Sequence, residues 1–170
     1  MKAWMRLRLL AALVLTMACG DDPTPDLRLM TPRTTIETML DSYGVAALPQ
    51  EEIDRRMAIG RRFHLNDPAA LRACFSDWEE PAGEGLAGYV FGSVIVAKDD
   101  LIATVRDDEA EVMVRDPERR TRPVFLERDG GSWRINLQRS VPRAVREEIE
   151  SKAAERAAET PETPETPETP

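Results

Sequence analysis

Few of the side chains that support metal, thiol or nucleophilic chemistry occur in this sequence. Its 170 residues include two cysteines and one histidine, and aromatic residues make up only 5%. A lone histidine with no second histidine or cysteine at ligand spacing does not form a zinc site. The sequence also lacks a phosphate-cradling glycine loop, a nucleophile elbow and an EF-hand spacing. We therefore predict no metal site and no cofactor.

Charge and length exclude two further classes of protein. The chain has 31 acidic and 23 basic residues, for a formal net charge of -8. Most of this excess lies in residues 147–170, and residues 27–146 are close to neutral. Binding to nucleic-acid phosphates needs a basic surface, so we expect no nucleic-acid partner. A length of 170 residues fits one ordinary domain rather than a multi-domain enzyme.

Residues 1–18 have the pattern of a signal peptide. A basic start with Lys2, Arg6 and Arg8 precedes an apolar run over residues 9–17. A helix that crosses a bilayer needs about 20 apolar residues, and this run is shorter. We therefore expect export of the chain, with a retained membrane-spanning helix as the weaker interpretation.

The segment Leu15-Thr16-Met17-Ala18-Cys19 resembles the lipobox of bacterial lipoproteins. The resemblance implies cleavage before Cys19, acylation of that cysteine and a lipid-anchored location in the cell envelope, facing the periplasm or the exterior. Thr16 stands where the pattern usually has leucine, and Thr16 with Ala18 also fits ordinary secretory cleavage at the same bond. The alternative is a secreted protein whose Cys19 keeps its thiol.

Both ends of the mature chain lack the periodicity of a folded element. Residues 19–31 are rich in aspartate and proline, which predicts an extended tether. Residues 159–170 repeat Glu-Thr-Pro four times, and proline at every third position favours polyproline II structure without a core. We expect a disordered acidic tail, with a docking ligand as the less favoured alternative.

Helices precede strands in the predicted order. Apolar residues spaced as i, i+3, i+4 and i+7 predict a first helix that is capped by Thr31, opened by Pro32 and ended by Gly44. A second helix with a thin apolar stripe is predicted over residues 49–63.

The third helix is predicted to begin at a cap on Asn66 or Asp67 and to continue through Trp78. Residues 86–97 are apolar on every side, so periodicity alone does not separate a helix from a buried strand. The length of this stretch favours a helix.

From residue 101 the hydrophobic period changes to two, which indicates antiparallel strands. Turns are predicted at residues 107–108 and at the glycines of residues 128–131. In the last strand, Trp133, Ile135 and Leu137 are expected to point inward.

A final helix is predicted to begin near Ser140 and Pro142 and to extend over residues 146–158. The expected fold class is α+β: N-terminal helices packed on a curved antiparallel meander, followed by the C-terminal helix and the tail. The α+β domain itself is placed at residues 32–145.

The order of these elements, the Thr31-Pro32 opening and the closing strand Gly130–Ile135 resemble the nuclear-transport-factor-like, or cystatin-like, fold found in small secreted bacterial lipoproteins. The resemblance covers about residues 30–140. It implies a sheet that wraps a long helix into a cone, which in some members holds a ligand or an active site.

Three residues are candidates for catalysis if such a cone exists. Asp41 lies close to Tyr43 on the first helix, and Asp77 stands beside Trp78. A carboxyl group that acts as a general acid or base needs an apolar pocket that raises its pKa. We expect these residues to have structural roles, with catalysis as the less favoured alternative.

Cys74 and His64 form the other pair with potential chemistry. Cys74 shares an apolar helical stripe with Phe75 and Trp78, which predicts a buried, inert thiol; a thiol sensor is the alternative. His64 is expected to have a capping or surface role.

Charged clusters are predicted to lie in solvent. Arg119, Arg120 and Arg122 fall in a hairpin connection, where they would protect a strand edge or bind an anionic partner. The acidic pairs are expected to lie in solvated turns; they are Glu79-Glu80, Asp99-Asp100 and Asp107-Asp108.

These observations favour a non-enzymatic binding or structural module held to a membrane lipid through Cys19. Its partner would be an envelope protein, a glycan or a small apolar ligand. The alternative is a cone-pocket enzyme of isomerase or dehydratase type that uses a carboxylate in an apolar cavity.

Overall fold

A computed structural model describes residues 26–159. The predictions for the signal peptide, Cys19, most of the tether and residues 160–170 lie outside the described residues. The elements are helices α1 (Pro32–Ser42), α2 (Gln50–Ala58), α3 (Pro68–Ala73) and α4 (Gly83–Ile95), strands β1 (Leu101–Arg106), β2 (Glu109–Val114), β3 (Val124–Asp129) and β4 (Ser132–Ile135), and helices α5 (Leu137–Ser140) and α6 (Arg143–Glu159).

The α+β class is confirmed, with helices on one face of a four-stranded antiparallel meander in the order β1-β2-β3-β4. The inward face of the sheet is apolar and buried along β2, β3 and β4. Its core residues include Val112, Val124, Leu126 and Ile135, each at most 2% exposed.

Helix α1 begins where the sequence predicts. The Thr31 hydroxyl accepts the amide of Thr34 at 3.1 Å, and the Thr34 hydroxyl accepts the amide of Thr31 at 3.1 Å, which forms a capping box. The chain turns away at Gly44, whose φ of +65° suits glycine. A Cβ atom there would lie 2.6 Å from Asn66 Nδ2, so Gly44 also allows a close approach of the next loop.

Helix α2 is shorter than predicted, since it ends at Ala58 rather than near residue 63. Gly60 has a φ of +68°, which takes the chain out of the helix, and the following residues pass to α3 without regular structure. Ile53 is fully buried, as its position on the thin apolar stripe indicates.

Helix α3 has the predicted Asp67 cap, because its carboxylate accepts the amide of Ala70 at 2.9 Å. The prediction that it continues to Trp78 is wrong, since the helix ends at Ala73. Phe75 instead forms an isolated parallel bridge with Ile135 of β4. A pairing partner 60 residues away in the sequence therefore overrides the local helical period.

Residues 86–97 are largely helical, as their length indicates, although α4 begins earlier, at Gly83. The start of α4 is close-packed: a Cβ atom on Gly83 would lie 2.4 Å from the Trp78 ring. Helix α4 is central to the core, with Ala87, Val90 and Val94 at most 2% exposed.

The last predicted strand, whose alternation continues to Gln138, is too long by three residues. Strand β4 ends at Ile135, and Leu137 begins the short helix α5, although its side chain is still buried. Asn136 caps α5 by accepting the amide of Arg139 at 2.9 Å. The side-chain cap on Asn136 ends the alternation.

The two ends of the described chain pack onto the domain. Leu29 is 2% exposed, so the end of the predicted tether, including a 3₁₀ turn at Leu27–Leu29, belongs to the folded unit. Helix α6 begins at Arg143, next to the predicted start at Ser140 and Pro142, and packs against α4. Val145, Ile149 and Ala153 face the core, as predicted.

Candidate binding groove

The predicted catalytic residues occupy different settings. Asp41 is exposed on the last turn of α1. Within residues 26–159, no side-chain hydrogen bond joins Asp41, Tyr43 and Asp77. Neither Asp41 nor Tyr43 lines either of the two grooves described below. The structure therefore does not bring the three residues together as one constellation.

Asp77 has a structural role that the sequence does not reveal. Its two carboxylate oxygens accept the amides of Leu137 at 2.7 Å and Gln138 at 2.9 Å, which are the first two residues of α5. These amides have no acceptor inside the helix, so the carboxylate satisfies them and joins two distant segments.

Tyr43 belongs to an aromatic cluster. Its ring stacks on Phe91 with centroids 4.1 Å apart, and Phe63 meets Phe91 edge-on at 5.9 Å. Burial, with the nearby charge of Glu84, raises the pKa of Tyr43 to about 12. A phenol with so high a pKa is a weak proton donor at neutral pH.

Cys74 is fully buried, and its thiol donates to the carbonyl of Ala70 at 3.3 Å. Burial raises the pKa of this thiol to about 12. Because the thiolate is the reactive form, this environment fits the predicted inert side chain. His64 is exposed, which fits its predicted surface role.

The basic cluster of the β2–β3 connection fastens this loop to the domain. Arg119 donates to the Asp54 carboxylate at 2.8 Å and to the carbonyl of Val96 at 3.2 Å. Arg120 donates to the carbonyls of Val114 and Arg115. All three arginines, Arg122 included, are exposed, as expected for a solvated edge, and Arg119 and Arg120 in addition tie the connection to the domain.

The acidic pairs also have identifiable positions. Asp107 and Asp108 form the β1–β2 turn, with a φ of 52° at Asp107. Glu80 pairs with Arg72 and accepts the indole N–H of Trp78 at 3.1 Å. Asp100 accepts the amide of Asp116 at 3.1 Å, so it helps to hold the end of β2.

A groove of about 220 Å³ lies between α1 and the β1 side of the sheet. Aliphatic side chains form most of its walls, and three charged residues also line it. The lining residues are Arg33, Ile36, Glu37, Leu40, Lys98, Leu101, Ile102, Ala103 and Val112. No aromatic residue lines this groove, and neither Asp41 nor Asp77, the predicted catalytic carboxylates, contributes to it.

Lys98 is the most unusual residue of the groove, because its side chain is only 7% exposed. Its Nζ atom lies 2.6 Å from Asp99 Oδ1, and its backbone amide donates to Gln50 Oε1 at 3.0 Å. An ammonium group has three donors, and the described residues provide this one side-chain acceptor. Lys98 can therefore still donate to a bound anionic group.

Arg33 provides a second cation beside the groove. Its Nε atom donates to Glu37 Oε1 at 2.8 Å, and the side chain is 76% exposed. The groove therefore combines an aliphatic interior with cations held by acidic neighbours. Sequence reasoning missed it because its residues come from three separate segments: α1, residues 98–103 and Val112 of β2.

A second groove, of about 260 Å³, is polar and lies between the start of α4 and α6. Asp77 contributes to it with Glu79, Glu80, Arg146 and Glu150. The Asp77 carboxylate is already engaged by the amides of α5, so this groove gives no free carboxylate at that position.

Comparisons with protein-family models, curated proteins and solved structures find no match to this chain. Among residues 26–159, no three potential metal ligands lie grouped together, and no helix has the length and apolar character needed to cross a membrane.

Proposed function

We propose that this protein is a lipid-anchored binding module of the bacterial cell envelope, facing the periplasm or the exterior, whose groove between α1 and β1 takes a small aliphatic ligand with an anionic end. The observation that carries the binding function is the aliphatic groove beside the buried Lys98 side chain. The location is supported by the apolar run that ends at Cys19 and by the polar residues that follow it.

The chemistry of the lining favours an aliphatic ligand over a glycan or a protein segment. Sugar recognition commonly uses aromatic faces and many side-chain hydrogen bonds, whereas the groove offers mainly Ile36, Leu40 and Leu101. Burying a hydrocarbon chain there would gain about 0.8 kcal/mol for each CH₂ group. Lys98 and Arg33 would then fix a carboxylate at the rim.

We also propose that the domain has the nuclear-transport-factor-like fold that its sequence resembles. The support for this fold is the order of elements, in which helices precede an antiparallel meander. The function proposed above rests on the groove and does not require the cone of that fold.

The ligand is tested by titrating the protein with cis-parinaric acid and displacing this fluorescent probe with decanoate or decanol. Ala103 is exposed and lines the groove, so Ala103→Phe fills it without disturbing the core. We expect this change to weaken probe binding about tenfold or more, since an aromatic ring would occupy the ligand's volume. Thr104→Phe, on the opposite face of β1, is the matched control and should bind as the parent does.

Lys98→Met tests the anionic end. It keeps the apolar stem of the side chain and removes the charge, so we expect decanoate to lose its advantage over decanol. Absence of probe binding, or equal loss in the Ala103→Phe and Thr104→Phe variants, would contradict the groove as a binding site.

The anchor is tested separately by intact-mass measurement of the chain recovered from bacterial membranes. We expect a product that begins at an acylated Cys19 and is lost in the Cys19→Ser variant. Recovery of an unprocessed chain from the cytosol would contradict the location and leave the result for the groove unaffected.

A further inference from the structure

The two edge strands of the sheet differ in whether their outer backbone groups are hydrogen-bonded. The edge of β4 is covered, because Ser76 donates its amide to the carbonyl of Ile135 at 3.0 Å and Ile135 donates to the carbonyl of Cys74 at 2.7 Å. Strand β1, at the other edge, pairs only with β2 within the described part of the chain. The sheet is therefore closed on one side and open on the other.

The register of the β1–β2 hairpin shows which backbone groups are open. A two-residue turn joins Arg106 to Glu109, so these residues form the hydrogen-bonded pair that closes the hairpin. Backbone groups then alternate in direction, and those of Leu101, Ala103 and Val105 point to the free edge. No other hydrogen bond to them occurs within residues 26–159.

The inward side chains of this strand also lack full cover. Leu101, Ala103 and Val105 stand opposite buried residues of β2 and share their face, yet Ala103 is exposed and Val105 is 51% exposed. Natural edge strands are commonly protected by a proline, a lysine or a bulge. The strand Leu101–Arg106 has none of these.

We propose that two copies of this protein pair edge to edge through β1, antiparallel about a twofold axis at Ala103, to form one eight-stranded sheet. In this register Ala103 faces Ala103 of the second copy, and Leu101 faces the second copy's Val105. All three open backbone positions on each strand are then paired, and the exposed Val105 side chain is covered by a leucine.

Charge complementarity selects a second copy as the occupant. Pairs in this register are equidistant from Ala103, so Arg106 stands opposite Asp100 of the second copy, and the axis repeats this contact. Arg106 is exposed and has no ion pair within residues 26–159. The Asp100 side chain is 43% exposed, and its ion pair with Arg115 is long, at 3.6 Å, so it can also meet Arg106 of the second copy. Moving the axis by one residue, to Ile102, shifts the pairing by two residues and would place Arg106 opposite Lys98 instead of Asp100, which removes the opposite-charge pair.

The pairing does not depend on the proposed ligand or on the lipid anchor. The groove lies on the inward side of β1, so the second copy's inward side chains would extend its floor. Loss of ligand binding and loss of pairing are separate measurements, because Val105 does not line the groove.

The register is tested by cysteine cross-linking in the full-length chain, expressed in a bacterial host and treated with a mild oxidant. Directly opposed residues of a hydrogen-bonded pair have Cα atoms about 5.5 Å apart, within the range of a disulfide, so Ala103→Cys should cross-link to a dimer. Val105→Cys is the matched control, because two Val105 positions would lie about 13 Å apart along the strands, too far for a disulfide. We expect at least about fivefold more dimer from Ala103→Cys, given this difference in reach.

Charge reversal provides the second arm. Arg106→Glu in the Ala103→Cys background should reduce the dimer severalfold, and adding Asp100→Arg should restore it, because the double change re-forms the opposite-charge pair. Ala144→Glu, at an exposed position of α6, is the charge control. Equal cross-linking of the Ala103→Cys and Val105→Cys variants, or no dimer from either while both melt cooperatively, would overturn the proposal.

Discussion

Asp77 and Leu137 are joined by a hydrogen bond of 2.7 Å between the carboxylate and the backbone amide, across 60 residues of sequence. The same carboxylate accepts the amide of Gln138 at 2.9 Å, so one side chain caps α5 and holds the segment after α3 against it. A residue that sequence reasoning offers as a general base is thus explained by the architecture.

Removing this cap should destabilise the fold. We expect Asp77→Ala to lower the free energy of unfolding by about 1–2 kcal/mol, because it leaves the part-buried amide of Leu137 without an acceptor and removes the exposed hydrogen bond from Gln138. Urea denaturation followed by far-UV circular dichroism measures this. Glu79→Ala, in the same segment and exposed, should change stability by less than about 0.5 kcal/mol. Equal effects of the two substitutions would show that the cap contributes little.

Gln50 should be a second structural anchor. Its amide nitrogen donates to Asp54 Oδ1 at 2.9 Å and to the carbonyl of Ile95 at 3.0 Å, and its oxygen accepts the amide of Lys98 at 3.0 Å. Gln50→Ala should therefore cost about 1–3 kcal/mol of unfolding free energy, measured by urea denaturation. The exposed Gln138 is the control, since its side chain makes no hydrogen bond within residues 26–159.

The Gln50 substitution should also affect the groove, since the Lys98 amide that it holds belongs to the groove lining. We expect weaker cis-parinaric acid binding than in the Gln138→Ala variant at a urea concentration where both remain folded. Unchanged stability in Gln50→Ala would contradict its role as an anchor.

Local signals in the sequence predict where several elements begin and turn. The Thr31-Pro32 cap, the Asp67-Pro68 cap and the glycines before Ser132 each act within a few residues, so their effects can be read without the fold. The period-two alternation after residue 101 similarly predicts the strands, because each inward residue meets the same core.

What the sequence does not predict depends on contacts between distant segments. The end of α3 is determined by the pairing of Phe75 with Ile135, and the role of Asp77 by the amides of α5. No local sequence pattern distinguishes Lys98, yet packing leaves its side chain 7% exposed. The groove is invisible to sequence patterns for the same reason, since neither α1 nor β1 forms it alone.

Cys74 should be unreactive in the folded protein. Burial raises its pKa to about 12, so very little of the reactive thiolate forms near neutral pH. The side chain is also 0% exposed, so a reagent cannot reach the sulfur. We expect no labelling of Cys74 by Ellman's reagent at pH 8 until denaturant is added. Mass spectrometry of peptides distinguishes it from Cys19, which would label only if it is not acylated. Rapid native labelling of Cys74 would support the thiol-sensor alternative.

Stability should fall at alkaline pH, because the two buried acids lose protons less readily in the folded protein than in the unfolded chain. The pKa rises from 9.0 to about 12 for Cys74 and from 10.0 to about 12 for Tyr43. Above pH 9 the unfolded chain therefore binds fewer protons than the folded protein, and linkage requires the free energy of unfolding to decrease as pH rises towards 12. The contribution is fully present below pH 9. Urea midpoints at successive pH values should decline less steeply in a Cys74→Ala, Tyr43→Phe double variant, compared with its own midpoint at pH 8. An identical alkaline slope in the parent and the double variant would show that other groups control this dependence.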